Sequence, residues 1–286
     1  MERLTDRGFI RELLERHGFT FSKSLGQNFL INPSVCPRMA EAAVQGDNVG
    51  VLEIGPGIGV LTNELLKRAS KVVAVELDKR LLPVLDETLS EYDNLKVINA
   101  DVMKLDLHRL IGDEFGSMEV AVCANLPYYI TSPIIMKLLE DRLPVSSITV
   151  MVQKEAAVRL CAEPSSRDSS AITAAVRYYC DPELLFHVSA GSFMPAPKVD
   201  SAVIRLGLRE PSVHPRDEAL LFRVIRGAFA QRRKTVLNSL SSSLSLDKGE
   251  LSDILCKAGV DPGARAERLT LQNFSDISDA VYEWSK

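Results

Sequence analysis

Val51-Leu-Glu-Ile-Gly55-Pro-Gly57-Ile-Gly59 joins an apolar, β-branched run, Val49–Ile54, to an amphipathic pattern that opens near Leu61. A run this short and this uniformly apolar reads as a strand buried on both faces, as in a parallel sheet. Glycine at three alternate positions lets the chain turn tightly and lets a ligand approach the main chain. Runs of the same character recur at Lys71–Leu77, Leu95–Ala100, Val120–Ala124 and Ser147–Val152. Between them Leu61–Ala69, Arg80–Ser90 and Pro133–Leu139 each read as an amphipathic helix. Alternation of this kind implies right-handed βαβ units and a doubly wound, Rossmann-like α/β sheet.

After Lys154 the pattern changes. Ala171–Tyr179 reads as helix, and Leu184–Val188 and Ala202–Leu208 as two late strands able to form an antiparallel edge. From about Pro211 the periods are helical: Glu218–Ala230, Lys234–Leu244, Glu250–Ala258 and Asp276–Trp284, the last with caps offered by Asn273 to Asp276. The expected organisation is a sheet domain over residues 1–210 and a small all-helical domain over 211–286.

Several acids sit where open α/β sheets bind ligands, at the carboxyl ends of strands. Glu76 lies 21 positions beyond Gly55, where ribose hydroxyls are met in this architecture, and Asp101 ends the next strand. A dinucleotide site wants G-x-G-x-x-G with a diphosphate on the helix N-terminus. The loop here is G-x-G-x-G, preceded by Glu53, which is unwelcome near a diphosphate and tolerable near a sulfonium zwitterion. The spacing favours a nucleoside without phosphates, and a nicotinamide-dependent oxidoreductase stays open as the rival.

Bulk properties exclude other classes. No uncharged apolar stretch reaches the roughly 18 residues that cross a bilayer, and the charged, amphipathic N-terminus is not a secretory signal. A cytoplasmic, monomeric protein without membrane association is expected. Five scattered cysteines with no C-x-x-C pair argue against a zinc site or a disulfide framework, so no metal is expected. The net charge of −4 argues weakly against nucleic acid, yet Ala219–Leu246 holds Arg223, Arg226, Arg232, Arg233 and Lys234 and no acid. Local charge, not the mean, decides whether a surface meets phosphate.

Asn125-Leu126-Pro127-Tyr128 follows the fourth strand. An adenine N6 lone pair is delocalised into the ring and nucleophilically poor, while a sulfonium leaves without a strong base. Such a transfer needs a neutral acceptor for the N6 hydrogens that aims the lone pair, which the Asn125 amide oxygen and the Leu126 carbonyl can supply by positioning. Pro127 stiffens the turn, and Tyr128 offers a flat face for a base. A strand-ending Asn-x-Pro turn is the bland alternative.

Taken in order, these segments resemble the ribosomal RNA adenine N6-dimethyltransferase family, and within it the KsgA/RsmA group acting on 16S rRNA. Lys23–Leu30, Glu53–Gly59, Glu76–Asp78, Asn99–Asp101 and Asn125–Tyr128 follow the family's motifs in register. Phe193-Met-Pro-Ala-Pro-Lys-Val-Asp-Ser201 resembles its F-x-P-x-P-x-V-x-S segment, and Arg232–Leu240 its C-terminal stretch. The resemblance implies dimethylation of two adjacent adenosines in 16S rRNA of the small (30S) subunit, with S-adenosyl-L-methionine as cofactor. It implies cofactor contacts from Asn28, Leu30, Gly55, Glu76, Asp101 and Asn125. Phe193 is the candidate second wall of the target pocket, opposite Tyr128. With RNA as the implied substrate, Arg223, Arg226, Arg233 and Lys234 become the candidate phosphate contacts; they share an arc of roughly 100° if one helix continues through Gly227. Lys23, Arg7, Arg11 and Arg16 are suggested extensions of that surface. An Erm-type 23S rRNA enzyme and an assembly factor acting by binding remain the alternatives.

Overall fold

The computed structural model describes residues 2–22 and 26–286. Lys23, with its suggested place on an RNA surface, therefore lies outside the described residues, as do the next two positions of the N-terminal motif.

The strands are β1 (Phe29–Leu30), β2 (Val49–Ile54), β3 (Lys71–Glu76), β4 (Leu95–Asn99), β5 (Glu119–Asn125), β6 (Ser147–Gln153), β7 (Cys180–Val188), β8 (Phe193–Met194) and β9 (Ser201–Leu208). Seven of them form one sheet in the order β4-β3-β2-β5-β6-β9-β7, and β1 pairs with β8 in a separate two-stranded ribbon. β2, β3, β4, β5 and β6 run parallel, and β9 joins β6 antiparallel with Ser147 opposite Gly207 and Gln153 opposite Ser201. The order reverses between β2 and β5, the switch point at which such sheets open a crevice for ligands.

Every residue of β2 is buried, and β3, β5 and β6 are buried except at their ends. The helices of this region are α1 (Arg7–Arg16), α2 (Val35–Ala43), α3 (Val60–Leu66), α4 (Leu82–Thr88), α5 (Leu107–Phe115), α6 (Thr131–Glu140) and α7 (Lys154–Cys161). On one face Val51, Val72, Cys123, Met151 and Val203 meet Ile10, Leu13, Met39, Ala40 and Leu65 from the helices. Each such aliphatic side chain withdrawn from water contributes about 1.5–3 kcal/mol. Gly50 of β2 has no side chain because Phe115 of α5 occupies that space; an added Cβ would lie 2.3 Å from the ring.

The remaining helices are α8 (Ala171–Tyr179), α9 (Glu218–Phe229), α10 (Val236–Leu244), α11 (Lys248–Lys257) and α12 (Leu271–Trp284). The chain forms two compact units, Met1–Ala157 with Glu183–Leu208, and Val158–Pro182 with Arg209–Lys286. A single cut after residue 210 does not describe this division, because α8 belongs with the late helices. The reason is aromatic packing: Tyr179 stacks on Phe222 at 5.6 Å, Tyr178 meets both rings edge-on, and both tyrosine hydroxyls donate to the Glu218 carboxylate at 3.0 and 2.8 Å. The last helix also begins earlier than expected. Thr270, not Asn273 to Asp276, caps α12, with Asn273 returning the bond to the Thr270 N–H. Among the described residues no helix is long and apolar enough to cross a membrane.

Candidate active site

The carboxyl ends of β2, β3 and β5 and the turn after β4 open on one cavity in the sheet unit. Asn28, Leu30, Gly55, Glu76, Asp101, Asn125, Leu126, Pro127, Tyr128 and Phe193 all line it. Ten residues named from sequence thus meet in one place, although they span more than half the chain.

The glycine loop explains itself locally. Gly55, Gly57 and Gly59 all take positive φ (71°, 63° and 90°), a region costly for other residues. A Cβ on Gly57 would lie 3.2 Å from the Phe29 ring, whereas one on Gly55 would meet nothing within 4 Å. Glu76, at the end of β3, is buried and held at both oxygens: Oε1 accepts the Asp78 N–H at 2.8 Å and Oε2 the Gly57 N–H at 3.2 Å. Burial raises its pKa, and these two bonds oppose the rise. Asp101 is half-buried; its Oδ1 accepts the Met103 N–H at 3.0 Å, and Lys104 lies 3.8 Å from Oδ2.

Asn125 ends β5. Its Nδ2 donates to the Asn28 carbonyl in a long bond of 3.5 Å, which turns Oδ1 to the other side of the amide. Leu126 donates its own N–H to the Met151 carbonyl of β6 at 3.2 Å, so the turn starts from the sheet ladder. The Tyr128 hydroxyl shares a 2.7 Å hydrogen bond with Ser201, the last residue of the Phe193–Ser201 segment. Burial raises the Tyr128 pKa, so the phenol stays neutral. Phe193 is only 2% exposed and pairs across the ribbon with Leu30. The N-terminal motif and the proline-rich segment therefore reach the cavity as one two-stranded ribbon.

Two expectations need correction, and three residues stand beside the site without having been singled out. Glu53 does not face the ligand: it is 1% exposed and absent from the cavity lining. Successive strand residues point to opposite faces, and Ile54 takes the cavity side. Glu53 therefore says nothing against a diphosphate. Second, α9 does continue through Gly227, where an added Cβ would lie 2.4 Å from Ser243 Oγ of α10, but it stops at Phe229. Arg223 and Arg226 are exposed on α9, while Arg233 and Lys234 are exposed in the turn beyond it, so the four do not form one helical stripe. The sequence motifs leave Gln27, Asp78 and Tyr129 without a role. Tyr129 lines the cavity mouth, is 58% exposed and lies against Gly26. Asp78 has a signal in the Glu76-Leu-Asp78 motif; Tyr129 has only its position after the Asn125–Tyr128 turn.

Among the described residues the cavity lining contains two acids and no Lys, Arg or His. Carboxylates accept from a diol or an exocyclic amine, and the two acids among the described lining residues suit a cationic sulfonium better than a diphosphate. The donor set fits S-adenosylmethionine. Fold and site together define a Rossmann-like, S-adenosylmethionine-dependent methyltransferase.

The chain belongs to the ribosomal RNA adenine dimethylase family, whose profile matches residues 18–283. It is 49% identical over 279 residues to the ribosomal RNA small subunit methyltransferase A of Geobacillus sp. (strain WCH70), covering 96% of each chain. It is 48% identical over 277 residues to the protein of that name from Anoxybacillus flavithermus, covering 95% of this chain and 94% of that one. Among solved structures it resembles a dimethyladenosine transferase from Plasmodium falciparum, at TM-score 0.71 and 29% identity over 90% of this chain and 97% of that one. It also resembles the 23S rRNA methyltransferase ErmE, at TM-score 0.66 and 28% identity over 89% of this chain and 100% of that one.

Proposed function

We propose that this enzyme dimethylates N6 of two adjacent adenosines in 16S rRNA, within the small ribosomal subunit, as a cytoplasmic monomer. The observation that carries the reading is the convergence of Asn125–Tyr128 with Glu76 and Asp101 in one cavity. The 49% identity to a small-subunit methyltransferase, against 28% to ErmE, favours 16S over 23S rRNA.

Glu76 accepts from the ribose hydroxyls of the cofactor and Asp101 from its adenine amino group, while Asn28, Leu30 and Gly55 complete the cofactor walls. S-adenosylmethionine, when bound, supplies a methyl group on a sulfonium that leaves readily. Oδ1 of Asn125, oriented by the Nδ2 bond to Asn28, accepts one N6 hydrogen of the target adenine, and the Leu126 carbonyl accepts the other. These neutral acceptors need no proton of their own; they turn the N6 lone pair out of the ring plane, and the proton released goes to solvent. Pro127 keeps the turn rigid, Tyr128, held by Ser201, stacks on the target base, and Phe193 closes the opposite wall. Arg223, Arg226, Arg233 and Lys234 of the helical unit contact RNA phosphates.

The test is methyl transfer from labelled cofactor to small and large subunits lacking dimethyladenosine, followed by nucleoside analysis. Dimethyladenosine in 16S rRNA is the expected product. Label in large subunits alone would replace this reading with the 23S one, and tight particle binding without transfer would replace it with an assembly factor.

A further inference from the structure

Asp78 is buried two residues beyond Glu76, and its hydrogen bonds run in two directions. Toward the cavity, its main-chain N–H donates to Glu76 Oε1 at 2.8 Å. Away from it, Oδ2 accepts from Gln27 Nε2 at 2.9 Å and from Arg80 Nη2 at 2.6 Å, while Oδ1 accepts from Arg80 Nε at 2.9 Å. Gln27 in turn accepts the Ser22 N–H at 3.0 Å, and Arg80 reaches the Thr20 carbonyl at 3.4 Å with its guanidinium 4.9 Å from the Phe19 ring. Gln27 immediately precedes Asn28, whose carbonyl takes the Asn125 amide. A continuous chain of contacts thus runs from Glu76 through Asp78 and Gln27 to Asn28 and Asn125.

We propose that Asp78 is a positioning residue, and that its bond to Gln27 makes presentation of the Glu76 carboxylate and seating of Asn28 against Asn125 a single event. The inference rests on the reading that Glu76 holds the cofactor ribose and that Asn125 orients the target amine. The competing account is a local ion pair with no bearing on the cofactor. The Arg80 pair is local, two positions apart, and neither Arg80 nor Asp78 lines the cavity. The Gln27 bond is different: it spans 51 positions and joins the Gln27 segment, which lines the cavity, to the end of the Glu76 strand, which does so too. Arg80 and Gln27 hold the Asp78 carboxyl at about 2 against its burial, so it accepts from both at neutral pH. With Asp78 fixed, its N–H is aimed before ligand arrives, and the cost of ordering Glu76 does not fall on binding.

The test is calorimetry with S-adenosylmethionine on the full chain, alongside steady-state methylation of subunits, for Gln27→Ala, Asp78→Asn, the double variant and the swap Gln27→Glu/Asp78→Asn. Each single change should weaken cofactor binding about tenfold and lower kcat with it, because the Asn125 amide loses its seat on Asn28 in the same event. The double variant should be no weaker than the weaker single, because one link is cut twice. The swap should recover binding, since the amide introduced at position 78 can then donate to the carboxylate introduced at position 27. Additive losses, unchanged binding in Gln27→Ala, or no recovery in the swap would each overturn the proposal. If Asp78→Asn does not fold, Gln27→Ala carries the test alone, because Gln27 is only partly buried. Glu76→Gln is run beside them. Unchanged cofactor binding in Glu76→Gln refutes the ribose reading itself; weakened binding there with none in Gln27→Ala refutes only the coupling.

Discussion

Glu53→Gln should leave the protein unaltered in mild acid and make it more stable in mild alkali. The native carboxyl lies in the core beneath the glycine loop, and burial pushes it up to about 8, opposed by the neighbouring Thr62 hydroxyl and reinforced by the charge of Glu76. In the unfolded chain it titrates near its ordinary value of 4.5. Between those two values the folded state holds a proton that the unfolded state has released, so stability falls as pH rises. The contribution is intact below about pH 4.5, declines by about 1.4 kcal/mol per pH unit, and is lost by about pH 8, a total of roughly 5 kcal/mol as an upper bound. Glutamine keeps the volume and cannot ionise, so the difference between the two proteins isolates this one group from every other titration. Urea unfolding from about pH 5 to about pH 9 should show the variant pulling ahead steadily and then levelling off. A difference that stays flat over that range would mean the carboxylate is solvated or paired in the fold, and the reasoning from burial would fail.

Other consequences are read on turnover, binding and stability. Asn125→Ala removes one preorganised acceptor and should cut kcat by about 10²–10³, with little change in unfolding midpoint because β5 is held by its main chain; near-normal turnover would remove Asn125 from the mechanism. Neutralising Arg223, Arg226, Arg233 and Lys234 together should flatten the log–log salt dependence of subunit binding by up to about three units with cofactor affinity unchanged, and an unaltered slope would send the search for the RNA surface elsewhere. Gly227→Ala should destabilise by about 1–2 kcal/mol in thermal unfolding: helix propensity favours alanine by about 0.5–1 kcal/mol, but the added Cβ meets Ser243 at 2.4–2.8 Å and overpacking costs about 1–3 kcal/mol. A stabilised variant would show that α9 and α10 part easily there.

What is legible in the sequence follows from the range over which each signal acts. Strands buried on both faces announce themselves, so the apolar runs locate β2, β3, β5 and β6 within a residue or two of their ends. The helix α5 is missing from the sequence reading although Leu107, Leu110, Ile111 and Phe115 stand at helical spacing behind a capping Asp106; Gly112 and the charged neighbours interrupt the pattern without breaking it. The end of α9 is legible to within a residue, Ala230 against the observed Phe229. What fails is the single cationic face, because Thr235 caps α10 and leaves residues 231–234 as a turn between two helices.

The site divides along the same line. Residues tied to a strand end, such as Gly55, Glu76, Asp101 and Asn125, can be placed because a parallel sheet brings strand ends together by construction. The β1–β8 ribbon cannot, since two-residue strands have no period and Leu30 meets Phe193 across 163 positions of chain. Nor can Gln27, whose role depends on a bond to a residue 51 positions away. Glu53 shows the opposite error. It stands two residues before Gly55, and a motif read as a string makes it a neighbour of the ligand, yet the pleat of β2 sends it into the core while Ile54 turns to the cavity. A motif residue therefore belongs to the site by the face it occupies, and the pH dependence of Glu53→Gln is the measurement that separates a carboxyl in the core from one beside the cofactor.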